Sequence, residues 1–128
     1  MKRCLFALLL VGCVHTQMTP LVGFDPKRAP TCWQAVQVFT GSDQIGARYA
    51  PLAYLHATSE VSVSDEKVVR NLRERAATIG GNGLILGGVN TETGGRSSNT
   101  SGDGTAVWIP QDSAATLAQC AGANRAAR

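Results

Sequence analysis

The sequence predicts a single α+β domain: a small, mostly antiparallel four-stranded sheet with one amphipathic helix packed on it, in the order ββαββ, followed by a short C-terminal helix. Three observations carry this reading. One segment has a clear helical stripe, short β-branched or apolar runs flank it on both sides, and 128 residues suffice for one domain. With 44% apolar and 16% charged residues the chain can bury a core, so wholesale disorder is excluded.

Residues 35–40 (Ala-Val-Gln-Val-Phe-Thr) read as the first strand, by their β-branched content and partial alternation, and Gly41-Ser42-Asp43 turns the chain. Residues 49–58 form a second apolar run, with Pro51 requiring an edge or a bulge where it begins. Ser64 is a good helix N-cap, and Asp65 and Glu66 place negative charge in the first turn, where the helix dipole favours it. Val68, Val69, Leu72, Ala76 and Ile79 then recur at three- and four-residue spacing as one buried stripe. Arg70, Arg73, Glu74 and Arg75 fall mostly on the solvated side, with Glu66 and Arg70 a favourable i,i+4 pair. Gly80-Gly81 ends the helix, and Gly83-Leu84-Ile85-Leu86-Gly87-Gly88-Val89 suits a central strand.

Residues 90–104, rich in Gly, Ser, Thr and Asn, read as a long mobile loop. Thr105-Ala106-Val107-Trp108-Ile109 is the last strand, stopped by Pro110, and Asp112 or Ser113 caps a short Ala-rich helix carrying Cys120. The domain is thus expected over residues 32–122, with 123–128 a frayed tail.

The N-terminus carries a different message. Met1-Lys2-Arg3 is basic, and seven apolar residues follow from Leu5 to Val11, far short of the roughly 20 a spanning helix needs. Leu10-Val11-Gly12-Cys13 matches the bacterial lipobox, in which the Cys is diacylated and the signal is cut just before it. Residues 1–12 are therefore expected to be a signal peptide, and Cys13 to carry acyl chains such as palmitate. Residues 13–31, interrupted by Pro20, Pro26 and Pro30, read as a tether holding the domain on the order of 25 Å from the membrane. Val14 after the Cys makes the outer membrane, facing the periplasm or the surface, the expected location.

Cleavage removes Lys2 and Arg3 and lowers the formal charge from +3 to +1. A near-neutral domain has no strong pull towards nucleic acid or anionic lipid, so nucleic acid is not an expected partner. Cys32 and Cys120 remain after processing, in an oxidising compartment, and are read as a disulfide. A pair of free thiols or a metal site is the competing reading, and two Cys without a nearby His pair make a poor zinc site.

No catalytic constellation stands out. His15 lies in the expected tether and His56 on a strand, and no Gly-x-Ser-x-Gly elbow is present. The Gly80-Gly81-Asn82-Gly83 cluster ends a helix, whereas phosphate loops open one; its plainer role is a positive-φ turn. Neither enzymatic activity nor a cofactor nor a metal is expected. The favoured function is an anchored interaction or sensor module contacting another envelope protein, with Trp108 and Arg96 as the candidate surface. A small-ligand or metal-binding lipoprotein is the alternative, and His56 is its only candidate.

Residues 72–86 (Leu-Arg-Glu-Arg-Ala-Ala-Thr-Ile-Gly-Gly-Asn-Gly-Leu-Ile-Leu), the Gly-rich segment after them and Ala106-Val107-Trp108-Ile109 resemble the domain of small envelope lipoproteins related to the outer-membrane stress sensor of the Rcs phosphorelay. That resemblance spans about residues 33–110. It implies a helix leading through a Gly-Asn-Gly step into an apolar strand and a variable hairpin, and a surface-sensing role with a protein partner. It also implies two disulfides, from which this chain departs: only Cys32 and Cys120 are available, and Trp108 stands in the last strand.

Overall fold

The computed structural model describes residues 14–61, 63–94 and 97–126. Its elements are β1 (Val14–Pro20), β2 (Gln37–Phe39), β3 (Ala50–Ser59), α1 (Asp65–Thr78), β4 (Gly83–Gly94), β5 (Ser97–Trp108) and α2 (Ser113–Ala126). Single 3-10 turns lie at Trp33–Ala35, Ser42–Gln44 and Pro110–Asp112. The α+β class holds, but the sheet does not match the expectation. It has five strands in the order β1-β3-β5-β4-β2 and is mixed, because β2 runs parallel to β4.

The additional strand is β1, inside the segment read as a tether. Val14, Thr16 and Met18 turn partly inward while His15, Gln17 and Thr19 face out, a period of two that makes a half-buried strand. It pairs antiparallel with β3 from Val14↔Ser59 to Pro20↔Ala53, so Pro20 comes only at the strand's last position. The prolines drew the tether reading; the alternation before them decides the structure. The chain from Leu21 to Thr31 also packs on the domain, through Leu21 N–H to the Leu52 carbonyl and Thr31 N–H to the Ala77 carbonyl, both 2.9 Å.

Residues 90–104 are not a loop either. β4 and β5 stay paired from Gly83↔Val107 out to Gly94↔Ser97, interrupted only by a register shift between Leu86 and Gly88. Small and polar residues suit this hairpin because α1 lies on it: a Cβ at Gly102 would stand 2.7 Å from Val68 Cγ1. Buried Thr100 is satisfied by Val63, whose N–H donates to its Oγ1 at 3.1 Å. β4 is an interior strand as expected, paired with β2 and β5 over Gly83–Ile85, and β5 is the middle strand of the five. Pro51 does sit at an irregularity, the register shift between Pro51 and Ala53.

Helix α1 starts as expected, with Ser64 Oγ accepting from Lys67 N–H. Val68, Leu72, Ala76 and Ala77 are buried against Leu55, Ala57, Leu84 and Ala106. On the opposite face of the sheet Val107 and Ile109 form a second, smaller core with Ile45, flanked by Phe39, Tyr49 and Ile85. Two further corrections concern helices. Arg70 pairs with Glu74 at 3.1 Å rather than with Glu66. Helix α2 has 14 residues and continues through Gly122 to Ala126, where a frayed tail was expected. The signal peptide reading and Cys13 lie outside the described residues.

Candidate interaction groove

The end of α1 organises one pole of the domain. Gly80 takes φ +87°, a left-handed conformation that closes the helix at little cost only for glycine. Two residues on, Asn82 is fully buried and grips the end of β5: its Nδ2 donates to the Ile109 carbonyl at 3.0 Å, and its Oδ1 accepts from Ile109 N–H at 2.7 Å. The same Nδ2 donates to Thr116 Oγ1 at 3.1 Å, which fixes the first turn of α2. Sequence reasoning treated Asn82 as turn chemistry only. Its signal was an amide set between glycines directly before a buried strand, where a polar side chain must find partners.

Helix α2 is held to the rest of the domain by the Cys32–Cys120 disulfide and by Gln119 Nε2, which donates to the Gln34 carbonyl at 2.8 Å. Few of its side chains are buried, and Leu117 is 72% exposed. Between α2 and the segment after β1 lies a groove of about 320 Å³, lined by Arg28, Pro30, Gly80, Trp108, Thr116 and Leu117 among others. Trp108 forms its floor, partly buried against the main core. The Arg28 guanidinium lies 5.2 Å from the Trp108 ring centroid, a cation–π distance. Its aliphatic stem packs over Gly80, where a Cβ would meet Arg28 Cδ at 2.3 Å. Arg28 Nε is buried with no hydrogen-bond partner.

A second tryptophan, Trp33, is covered from one side of α1. Arg70 and Arg73 lie 4.5 Å and 5.1 Å from its ring centroid. Arg73 is not part of a merely solvated face, since its Nε donates to the Val36 carbonyl at 3.0 Å and burial pushes its pKa down.

Of the two candidate surface residues, Trp108 is placed by the structure at the groove. Arg96 lies outside the described residues. His56 is on the sheet face away from α1, opposite Asp103 on β5 and Gln17 on β1. Tyr54, two residues along, has its hydroxyl pKa pushed up by lost solvation and by Asp103, which accepts its hydrogen bond. Among the described residues no group of three or more His, Cys, Asp or Glu side chains gathers around His56 or elsewhere.

The architecture is that of a small α+β domain built on one mixed sheet. Comparison with protein-family models and with curated proteins gives no match. Among solved structures the chain is similar to one described as a Francisella virulence factor, FvfA, in an orthorhombic crystal form. The TM-score is 0.53 and the identity 15%, over 73% of this chain and 97% of that one, which is a likeness of fold.

Proposed function

We propose that the chain is a lipid-anchored, non-catalytic envelope module that docks a partner protein in the groove over Trp108. The anchor would be the acylated Cys13, placing the domain on a bacterial membrane, with the outer membrane the expected site. The resemblance to envelope stress-sensor lipoproteins agrees with this reading. The observation that carries it is the groove itself: an apolar trough whose walls are fixed by Asn82 and by the Cys32–Cys120 disulfide, with the Arg28 side chain lying along it over Trp108. A preformed trough loses little entropy on binding.

The groove also suggests the chemistry of its occupant. No acidic side chain lines it, and the Arg28 guanidinium, stacked on the Trp108 ring at its wall, is the cation there. The occupant is therefore a segment of another protein that presents an apolar side chain to Trp108 and Leu117 beside a carboxylate for Arg28.

The test is photocrosslinking in intact cells, with an encoded crosslinker at Leu117 or, on the opposite sheet face, at Tyr54. A discrete adduct from Leu117, absent from Tyr54 and lost in both Cys13→Ala and Arg28→Ala, supports the proposal. An adduct equally strong from Tyr54, or one indifferent to Arg28→Ala, contradicts the groove assignment.

A further inference from the structure

We infer that two copies of the chain join through the open edge of β1, so that their sheets run on as one. This goes beyond the proposed function and does not rest on the anchor. The sheet has two edges, β1 and β2. β2 has three residues, and Gln37 Nε2 on it donates to Asp112 Oδ2 at 3.1 Å. β1 has seven residues, with no Asp, Glu, Lys or Arg among them and an unbroken register to β3. Edge strands that stay solitary are shortened, charged, bulged or interrupted by proline. β1 has only Pro20, at its last position.

One bond fixes which main-chain groups face out. Leu21 N–H donates to the Leu52 carbonyl, next to the Pro20↔Ala53 pair. By alternation the groups of Thr19, Gln17 and His15 face β3, and those of Val14, Thr16 and Met18 face the open edge. Among the described residues no hydrogen bond reaches these outward groups. The strand is held at its middle, where the Thr16 hydroxyl donates to Asn71 Oδ1 on α1. The helix nevertheless stands back from the edge, leaving a trough of about 240 Å³ lined by Thr16, Asn71, Glu74, Arg75 and Thr78.

A second copy fits this edge because β1 is complementary to itself. In an antiparallel pair centred on Thr16, that residue faces Thr16 of the second copy, and Val14 of each copy faces Met18 of the other. Every outward N–H and C=O of these three residues then finds a partner. Centring the pair on Gln17 would instead set Val14 against Pro20, which has no N–H to give. On the α1 side the Thr16-centred register brings together Val14 and Met18, both only partly buried on the main core, so the apolar layer continues across the joint. On the other side His15 meets Gln17, and no like charges oppose each other. The contact is isologous and uses up the β1 edge of both copies, so assembly through it stops at a dimer.

The experiment uses the full chain in intact cells, with an encoded photocrosslinker at Gln17 or, on the opposite edge of the sheet, at exposed Val38. An adduct of two copies of this chain from Gln17, absent from Val38, is expected. Thr16→Pro removes an outward N–H and no bond to β3, whereas Thr16→Val gives up only the bond to Asn71. The adduct should be lost in Thr16→Pro and kept in Thr16→Val, with the circular dichroism of both variants unchanged. Light scattering of the purified parent should give the mass of two chains, falling to one on dilution. A single-chain mass at every concentration, a Gln17 adduct with a different protein in place of a second copy, or an equally strong adduct from Val38 overturns the proposal. So does a two-chain adduct that survives in folded Thr16→Pro.

Discussion

Asn82 holds Ile109 through both of that residue's backbone groups, accepting from its N–H at 2.7 Å and donating to its carbonyl at 3.0 Å. The pair joins the turn after α1 to the end of β5, where Trp108 and α2 begin the groove. Asn82→Ala leaves the Ile109 peptide and Thr116 without these partners in a buried site, at a cost of about 2–4 kcal/mol. Thermal unfolding should show a Tm lower by on the order of 10 °C. Asn82→Asp keeps the acceptor for Ile109 N–H but not the donors, and should still be destabilised.

The Cys32–Cys120 bond closes a loop of 88 residues' separation. In the chain-entropy model such a cross-link contributes about 4–5 kcal/mol through the unfolded state. Urea unfolding with and without reductant should show a loss of that order. An unchanged midpoint would mean that α2 is held without the bond.

Two glycines should respond in opposite directions. Gly102→Ala drives a methyl to 2.7 Å from Val68 Cγ1 and should cost about 1–3 kcal/mol by separating α1 from β5. Gly122 lies inside α2 with nothing within 4 Å of a Cβ, so Gly122→Ala should stabilise by about 0.5–1 kcal/mol. Chemical denaturation of both variants checks the pair.

Tyr54 gives a pH signature. Its pKa is raised in the folded state, so the unfolded chain loses this proton first, from its ordinary value of 10.0 upward. The stability it lends is complete below pH 10.0 and is lost as pH rises through the higher folded value. Asp103→Asn should reduce the shift, and Tyr54→Phe should abolish this part of the alkaline decline in Tm; an unchanged decline in both would contradict the Tyr54–Asp103 pairing.

What the sequence made legible was local. The Ser64 cap, the Gly80 stop and the Pro51 irregularity are each written within a few residues and occur where expected; the α1 stripe holds at Val68, Leu72 and Ala76, while Ala77 rather than Val69 is buried beside them. The missing pieces are non-local or compositional. The alternation of Val14, Thr16 and Met18 was outweighed by three prolines downstream, and the hairpin's Gly, Ser and Thr content reads as a loop until α1 is laid on Gly102. The stacking of Arg28 on Trp108 joins residues 80 positions apart, and no spacing rule announces it. The same distance hides the groove, whose lining comes from four separate chain segments.

The central claim is the proposed lipid anchor at Cys13, since the proposed function rests on it. Intact-mass and N-terminal peptide spectrometry of the protein extracted from membranes tests it most directly. The expected result is a chain beginning at Cys13, without residues 1–12, carrying acyl chains on that residue. A chain with an unmodified Cys13, or one that keeps residues 1–12, would contradict it.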